Sequence, residues 1–167
     1  MIRTIRCKLR IEPAAEEILN ETDEIFASAC NDILKVALEK NEIGVIALHN
    51  LTYYAIREKY PLTANLTARA IGRVSQTLAA LKRKRKKPKL FRTGSIDYDA
   101  RIFTFFEQEE LVSLSSVKGR IKAALDIGEY QRSALKGKKP TCATLVKRLE
   151  GGAAVNRPEL TMNLCVH

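Results

Sequence analysis

LTANLTARAIGRVSQTLAALKRKRKKPKLFR, residues 62–92, changes character halfway along. In its first half Leu66, Ala70, Ile71, Val74, Leu78 and Leu81 recur at helical spacing and form one apolar stripe. In its second half Lys82, Arg83, Lys84, Arg85, Lys86, Lys87 and Lys89 follow almost without interruption. Only Pro88 breaks the run, and a helix is expected to stop before it. The spacing therefore predicts a packed amphipathic helix that runs into a cationic tip. Like charges at this density repel one another, so the tip calls for a polyanion. The plainer reading is a solvated basic linker or a localisation tract.

Upstream of this stretch, residues 2–11 alternate, with Ile2, Thr4 or Ile5, Cys7, Leu9 and Ile11 set against Arg3, Arg6, Lys8 and Arg10. That pattern predicts a half-buried strand with a basic outer face. Pro13 ends it near a helix start. From Ala14 to about Lys40, Ala15, Ile18, Leu19, Thr22, Ile25 or Phe26, Ala29, Ile33, Val36 and Ala37 predict a long amphipathic helix, acidic early and basic late. A shorter helix is expected from Asn50, as N-cap, to Lys59, ended by Pro61. Three helices with short connections predict an antiparallel bundle.

Downstream, the period changes from helical to alternating. Ser95–Tyr98 and Arg101–Phe106 flank Asp99-Ala100, which reads as a hairpin turn. Leu111–Leu114, Arg120–Leu125, Thr141–Leu149 and Glu159–Val166 read as strands, the last two joined at Gly151-Gly152, while Glu129–Leu135 fits either type. Short strands at this spacing predict a small β-barrel completed by the first strand. The expected class is α+β, with residues 1–12 and 90–167 as the barrel and 13–89 as the inserted helical bundle.

Composition narrows the function classes. The chain has 167 residues, 46% hydrophobic and 29% charged, enough apolar content for a buried core. The formal net charge is +10, and residues 1–60 hold 8 basic and 10 acidic side chains, so the excess lies wholly beyond residue 60. This asymmetry points to a polyanionic partner. A membrane surface fits less well, for there is no Trp and no basic helix with an aromatic face. No apolar run reaches transmembrane length and the first residues lack a signal-peptide core, so an intracellular, cytoplasmic protein is expected. Cys7, Cys30, Cys142 and Cys165 are scattered with the spacing of neither a zinc knuckle nor a disulfide framework.

Residue types that recognise nucleic acid cluster in three places. His49, Asn50, Tyr53, Tyr54 and Arg57 are followed by Asn65, Thr67, Arg69, Arg73 and Gln76, interleaving aromatics with side chains that read bases. Lys118, Arg120 and Lys122 alternate along one strand as a phosphate ladder. The basic run is the third. For Tyr53 and Tyr54 the alternative is core packing with a wet hydroxyl. Catalysis is poorly supported: His49 and His167 lack triad partners, and Gly151-Gly152 lacks the Lys-Ser or Lys-Thr of a phosphate loop. Leu125-Asp126-Ile127-Gly128 is similar to the first carboxylate strand of ribonuclease-H-like nucleases, but a second acid in matching context is missing. No metal ligand set and no cofactor is expected.

Four stretches in order resemble the N-terminal part of the TnpB family, the RNA-guided endonucleases of insertion-sequence transposons related to type V CRISPR effectors. They are the opening strand with Pro13 and its helix; Leu51–Pro61 with Ala70-Ile71-Gly72-Arg73-Val74; Pro88–Phe91 leading to Gly94–Asp99 and Ile102–Phe105; and Val112–Ser115 with Lys118–Lys122 and Tyr130-Gln131. The resemblance implies a wedge barrel, OB-like, with an inserted recognition bundle. It also implies a guide RNA and double-stranded DNA as partners, with sequence specificity supplied by the guide. By the same resemblance, base-reading residues come from the two shorter helices and from a barrel loop near Asp97 and Tyr98. The family's nuclease domain would begin about where this sequence reaches His167, and Ala153–Glu159 departs from the compact hairpin expected there. The expectation for this chain is thus a non-catalytic binding module. The alternative is an interaction subunit that docks on a separate nuclease polypeptide.

Overall fold

Burial follows the alternation in Arg3–Arg10 (β1), where Ile5 and Cys7 are buried while Arg6, Lys8 and Arg10 face solvent. The computed structural model describes residues 2–149 and 158–167. The Gly151-Gly152 turn and most of 153–159 lie outside the described residues. Two compact units result: Met1–Leu19 with Gly94–His167, and Asn20–Thr93. The described residues are α+β, with four helices and one seven-stranded antiparallel sheet.

Pro13–Lys40 forms α1, which belongs to the helical unit from Asn20 onward, and Val45–Lys59 (α2) and Ala64–Arg83 (α3) complete that unit. Phe26, not Ile25, is the fully buried residue of its pair, with Ala29, Cys30, Ile33 and Ala37 continuing the stripe. Thr63 caps α3, its hydroxyl accepting from the Leu66 N–H at 3.2 Å. The predicted stripe of α3 is buried at Leu66, Ala70, Ile71, Val74 and Leu78. On α2 the buried stripe is only one residue wide, Leu48, Thr52 and Ile56 at i, i+4 and i+8. The helix starts five residues before the expected Asn50, behind Gly44. The turn before it is held by the Glu42 carboxylate, which accepts from the N–H groups of Ile43 and Gly44 at 3.0 Å. His49 and Asn50 therefore stand inside α2, not at its cap.

The sheet contains Ser95–Asp99 (β2), Phe103–Phe106 (β3), Leu111–Ser116 (β4), Gly119–Asp126 (β5), Cys142–Leu149 (β6) and Pro158–Val166 (β7). Its order is β2-β6-β7-β1-β5-β4-β3. The first strand sits at the centre of the sheet. Its inner face gathers Ile5, Cys7, Ile96, Tyr98, Phe103, Leu114, Leu145, Met162 and Leu164, all buried. Glu129–Leu135, ambiguous in the sequence, is the short helix α4, whose start is fixed by Gln131 Oε1 accepting from the Gly128 N–H at 3.1 Å.

The expected hairpin at Asp99-Ala100 is corrected. β2 pairs with β6 and β3 with β4, so these consecutive strands lie on opposite edges. In a flat sheet six spacings of about 4.8 Å would part them by roughly 29 Å. Ala100–Ile102 can bridge at most about 14 Å. The sheet must therefore curl toward closure into a half-barrel. Tyr98 Oη of β2 reaches the opposite side of the sheet, donating to the Ser115 carbonyl of β4 at 3.0 Å.

Candidate nucleic-acid interface

The cationic run begins as the last turn of α3. Lys82 and Arg83 lie there, where the helix dipole favours positive charge, so these two have a structural reason to be basic. The helix stops at Arg83, five residues before Pro88, because Arg85 adopts the left-handed region at φ 52°. The Arg85 N–H then reaches the Lys82 carbonyl at 3.2 Å and the Lys86 N–H reaches the Leu81 carbonyl at 3.0 Å. This paired closure satisfies carbonyls that a helix end leaves open. Glycine is the usual residue there, and a side chain in this region costs about 1 kcal/mol.

Five residues after Lys86, at Phe91, the chain is held again. The Asn31 side chain on α1 donates from Nδ2 to the Phe91 carbonyl at 3.0 Å and accepts at Oδ1 from the Phe91 N–H at 2.7 Å. Across this fastened stretch Lys84, Arg85, Lys86, Lys87 and Lys89 are all exposed. Among the described residues no carboxylate pairs with any cation from Lys82 to Lys89. Two unit charges about 8 Å apart in water repel by roughly 0.5 kcal/mol, and this run contains many such pairs. Neither helix capping nor ion pairing accounts for Lys84 to Lys89.

On α2, the His49 and Tyr53 rings stack at 4.6 Å between centroids and Tyr54 meets Tyr53 edge-on at 5.3 Å. Tyr54 is 81% exposed and Ile46 is 76% exposed, with Asn50 on the same open side. The polar residues of α3 divide. Gln76 is exposed, and Asn65 and Arg69 are half-buried. Thr67 is fully buried and donates to the Thr63 carbonyl at 3.0 Å, so it does not face outward as expected. Arg73 turns inward, its guanidinium 4.8 Å from the centre of the Phe26 ring.

The barrel residues also divide. Asp97 and Tyr98 belong to β2 rather than to a loop. Tyr98 is fully buried, and Asp97 accepts from Thr144 Oγ1 at 3.4 Å. Arg120 and Lys122 share the outer face of β5, but Lys118 lies in the turn before it, so the ladder has two rungs. Arg120 is engaged inside the barrel unit, donating to Thr104 Oγ1 at 3.2 Å and to the Arg101 carbonyl at 2.9 Å. Lys122 Nζ lies 5.9 Å from the centre of the Phe106 ring. Asp126 ends β5 and pairs with Arg10 at 3.2 Å. Among the described residues no group of three His, Cys, Asp or Glu side chains is placed to hold a metal ion.

Some charges elsewhere are committed: Arg10, Lys59, Arg101 and Arg132 stand in ion pairs. Burial raises the Asp32 carboxyl, but hydrogen bonds from Lys59 at 2.6 Å and Tyr60 at 2.7 Å, with the charges of Lys59 and Lys35, outweigh it and hold the group below the usual carboxylate range. Burial pushes the Cys7 thiol up to about 11, so it stays protonated. A cavity of about 410 Å³ in the barrel unit is lined by Phe105, Glu107, Glu110, Ile127 and Arg132. Arg132 is taken by Glu110, and the Glu107 carboxylate accepts from the Gly137 N–H at 3.0 Å.

Sequence reasoning missed Asn31, since nothing in a mid-helix Asn signals a partner sixty residues away. It also missed that the fold sets Cys142 opposite Cys165 on β6 and β7. Among the described residues no helix is long and apolar enough to cross a membrane. No known family model matches the sequence, and no curated protein matches it.

Proposed function

We propose that this chain is a non-catalytic nucleic-acid-binding module whose cationic tip grips the phosphates of a structured RNA. One observation carries the reading: five cations, Lys84 to Lys87 and Lys89, stand exposed, with no carboxylate partner among the described residues, on a loop fastened at both ends. A solvated linker would have no need of two fastenings. Lys118 and Lys122 add a weaker second grip. The open side of α2, with His49, Asn50 and Tyr53, together with Gln76 of α3, would meet duplex DNA. In this TnpB-type reading the half-barrel corresponds to a wedge domain and α1–α3 to a recognition bundle, with guide RNA as the first partner.

The test is binding of the purified chain to an RNA duplex of about 20 base pairs across a salt series. Each phosphate neutralised releases counterions, so a steep fall of affinity with salt is expected. Binding that ignores salt, or no binding, refutes the proposal. Added Mg²⁺ or Mn²⁺ is expected to produce no cleavage; cleavage lost in Asp126→Asn would return a nuclease role to that residue.

A second reading has its own observation. Ile46 is 76% and Tyr54 81% exposed on one side of α2, an apolar patch that a protein partner would cover. An interaction subunit docking on a separate nuclease polypeptide would use this face. Stoichiometric capture of one such polypeptide, lost in Ile46→Asp, would favour it over the RNA reading.

A further inference from the structure

Asn31 has no work to do for its own helix. Asparagine is a poor helix former, because its side chain competes for backbone hydrogen bonds. Here the amide instead pairs both polar groups of one distant residue, accepting from Phe91 N–H at 2.7 Å and donating to its carbonyl at 3.0 Å. It acts as a one-residue strand edge for a segment that has no secondary structure of its own. Upstream, the left-handed turn at Arg85 fastens the chain through Lys86. Only Lys87, Pro88, Lys89 and Leu90 lie between the fastenings, and the Pro88 ring fixes its own φ. Without the amide, the free segment would run on from Lys87 to the start of β2 at Ser95.

We infer that Asn31 is a positioning residue: it holds the cationic loop in the shape that meets phosphate, so that binding does not have to order it. The inference rests on the proposed RNA-binding role of the tip. It concerns preorganisation, which raises affinity by lowering the ordering cost of association. Asn31 carries no charge, so it contributes nothing to the number of phosphates neutralised. Its signature therefore differs from that of a lysine in the run.

The experiment uses the whole chain and an RNA duplex of about 20 base pairs. Asn31→Ala is expected to weaken binding about tenfold while leaving the slope of log affinity against log salt unchanged. Amide exchange at Phe91 is expected to lose its protection. In a background with Lys84, Arg85, Lys86, Lys87 and Lys89 changed to Ala, the same substitution is expected to have no further effect on binding, since no charged loop remains to be positioned. Phe91→Pro removes the same N–H donor without touching α1, and should reproduce the loss if α1 itself is sound. Wild-type affinity in both variants overturns the clamp alone, as does a loss of equal size in the neutralised background. Failure of the unaltered chain to bind the duplex overturns the RNA-binding role, and the clamp's part in it.

Discussion

Arg85 and Arg120 are both exposed arginines in basic stretches, but their surroundings differ. Arg120 is hydrogen-bonded to Thr104 Oγ1 and to the Arg101 carbonyl, so its charge helps hold β5 to the β3 side of the barrel unit. Arg85 and its neighbours have no such partner among the described residues, and their backbone is held in place by other groups. The same contrast runs through the two units. Arg10, Arg101 and Arg132 are paired with Asp126, Asp99 and Glu110, and Lys59 with Asp32, whereas no carboxylate among the described residues pairs with the tip. A basic residue therefore says little by itself. What distinguishes a binding surface from a solvated or self-satisfied one is cationic charge left unpaired on a backbone that is fixed.

The largest expected effect comes from erasing one side of this contrast. Changing Lys84, Arg85, Lys86 and Lys87 to Ala should weaken binding to an RNA duplex on the order of 100-fold near 100 mM salt. It should also reduce the salt slope by about 3 to 4, roughly one per phosphate lost. Changing Arg120 and Lys122 to Ala should weaken binding only a few-fold and should instead lower the melting temperature of the barrel unit. Equal losses of affinity from the two variants would erase the distinction between them.

A smaller effect is expected at a committed charge. The Asp32 carboxyl is held below its ordinary range, so the folded state gains from its ionised form above the unfolded value of about 4. That gain is lost as pH falls through the depressed folded value. Melting temperatures from pH 6 down to pH 2.5 should therefore show Asp32→Asn less stable than the parent near neutrality, with the gap closing in acid. A constant gap would mean that the ion pair and the Tyr60 hydrogen bond contribute nothing that titrates.

The smallest effect tests the fixed backbone. Arg85→Gly relieves the left-handed strain at φ 52° and should raise stability by about 0.5 to 1 kcal/mol, after the entropy a glycine adds to the unfolded chain. It removes one cation, so the salt slope should fall by about one. A gain in stability with no change in slope would make Arg85 a capping residue that touches no phosphate.

Local pattern carried much of this into view. The apolar stripe of α3, the long α1 and the alternation of β1 follow directly from residue spacing, because each is decided by neighbours within a few positions. Other features are decided at long range. Asp99-Ala100 looks like a hairpin turn, but the Ala143-Leu145 strand competes for β2 and wins the ladder. Tyr98 and Thr67 are polar enough to suggest outward roles, yet each finds its hydrogen bond inside its own unit and is buried. The start of α2 was displaced because a glutamate side chain, Glu42, organised a turn that the Asn50 cap signal obscured. At the candidate site the charges themselves were legible. Their fastening by Asn31 was not, because a side-chain amide that pairs with a distant backbone leaves no periodic trace.

The most direct measurement is lysine footprinting with a small acylating reagent, on the free chain and on its complex with an RNA duplex. The account predicts that Lys82, Lys84, Lys86, Lys87 and Lys89 lose reactivity together on binding, while Lys59, held by Asp32, does not change and Lys118 and Lys122 change little. Protection centred on Lys118 and Lys122, with the run from Lys82 to Lys89 as reactive as in the free chain, would contradict it.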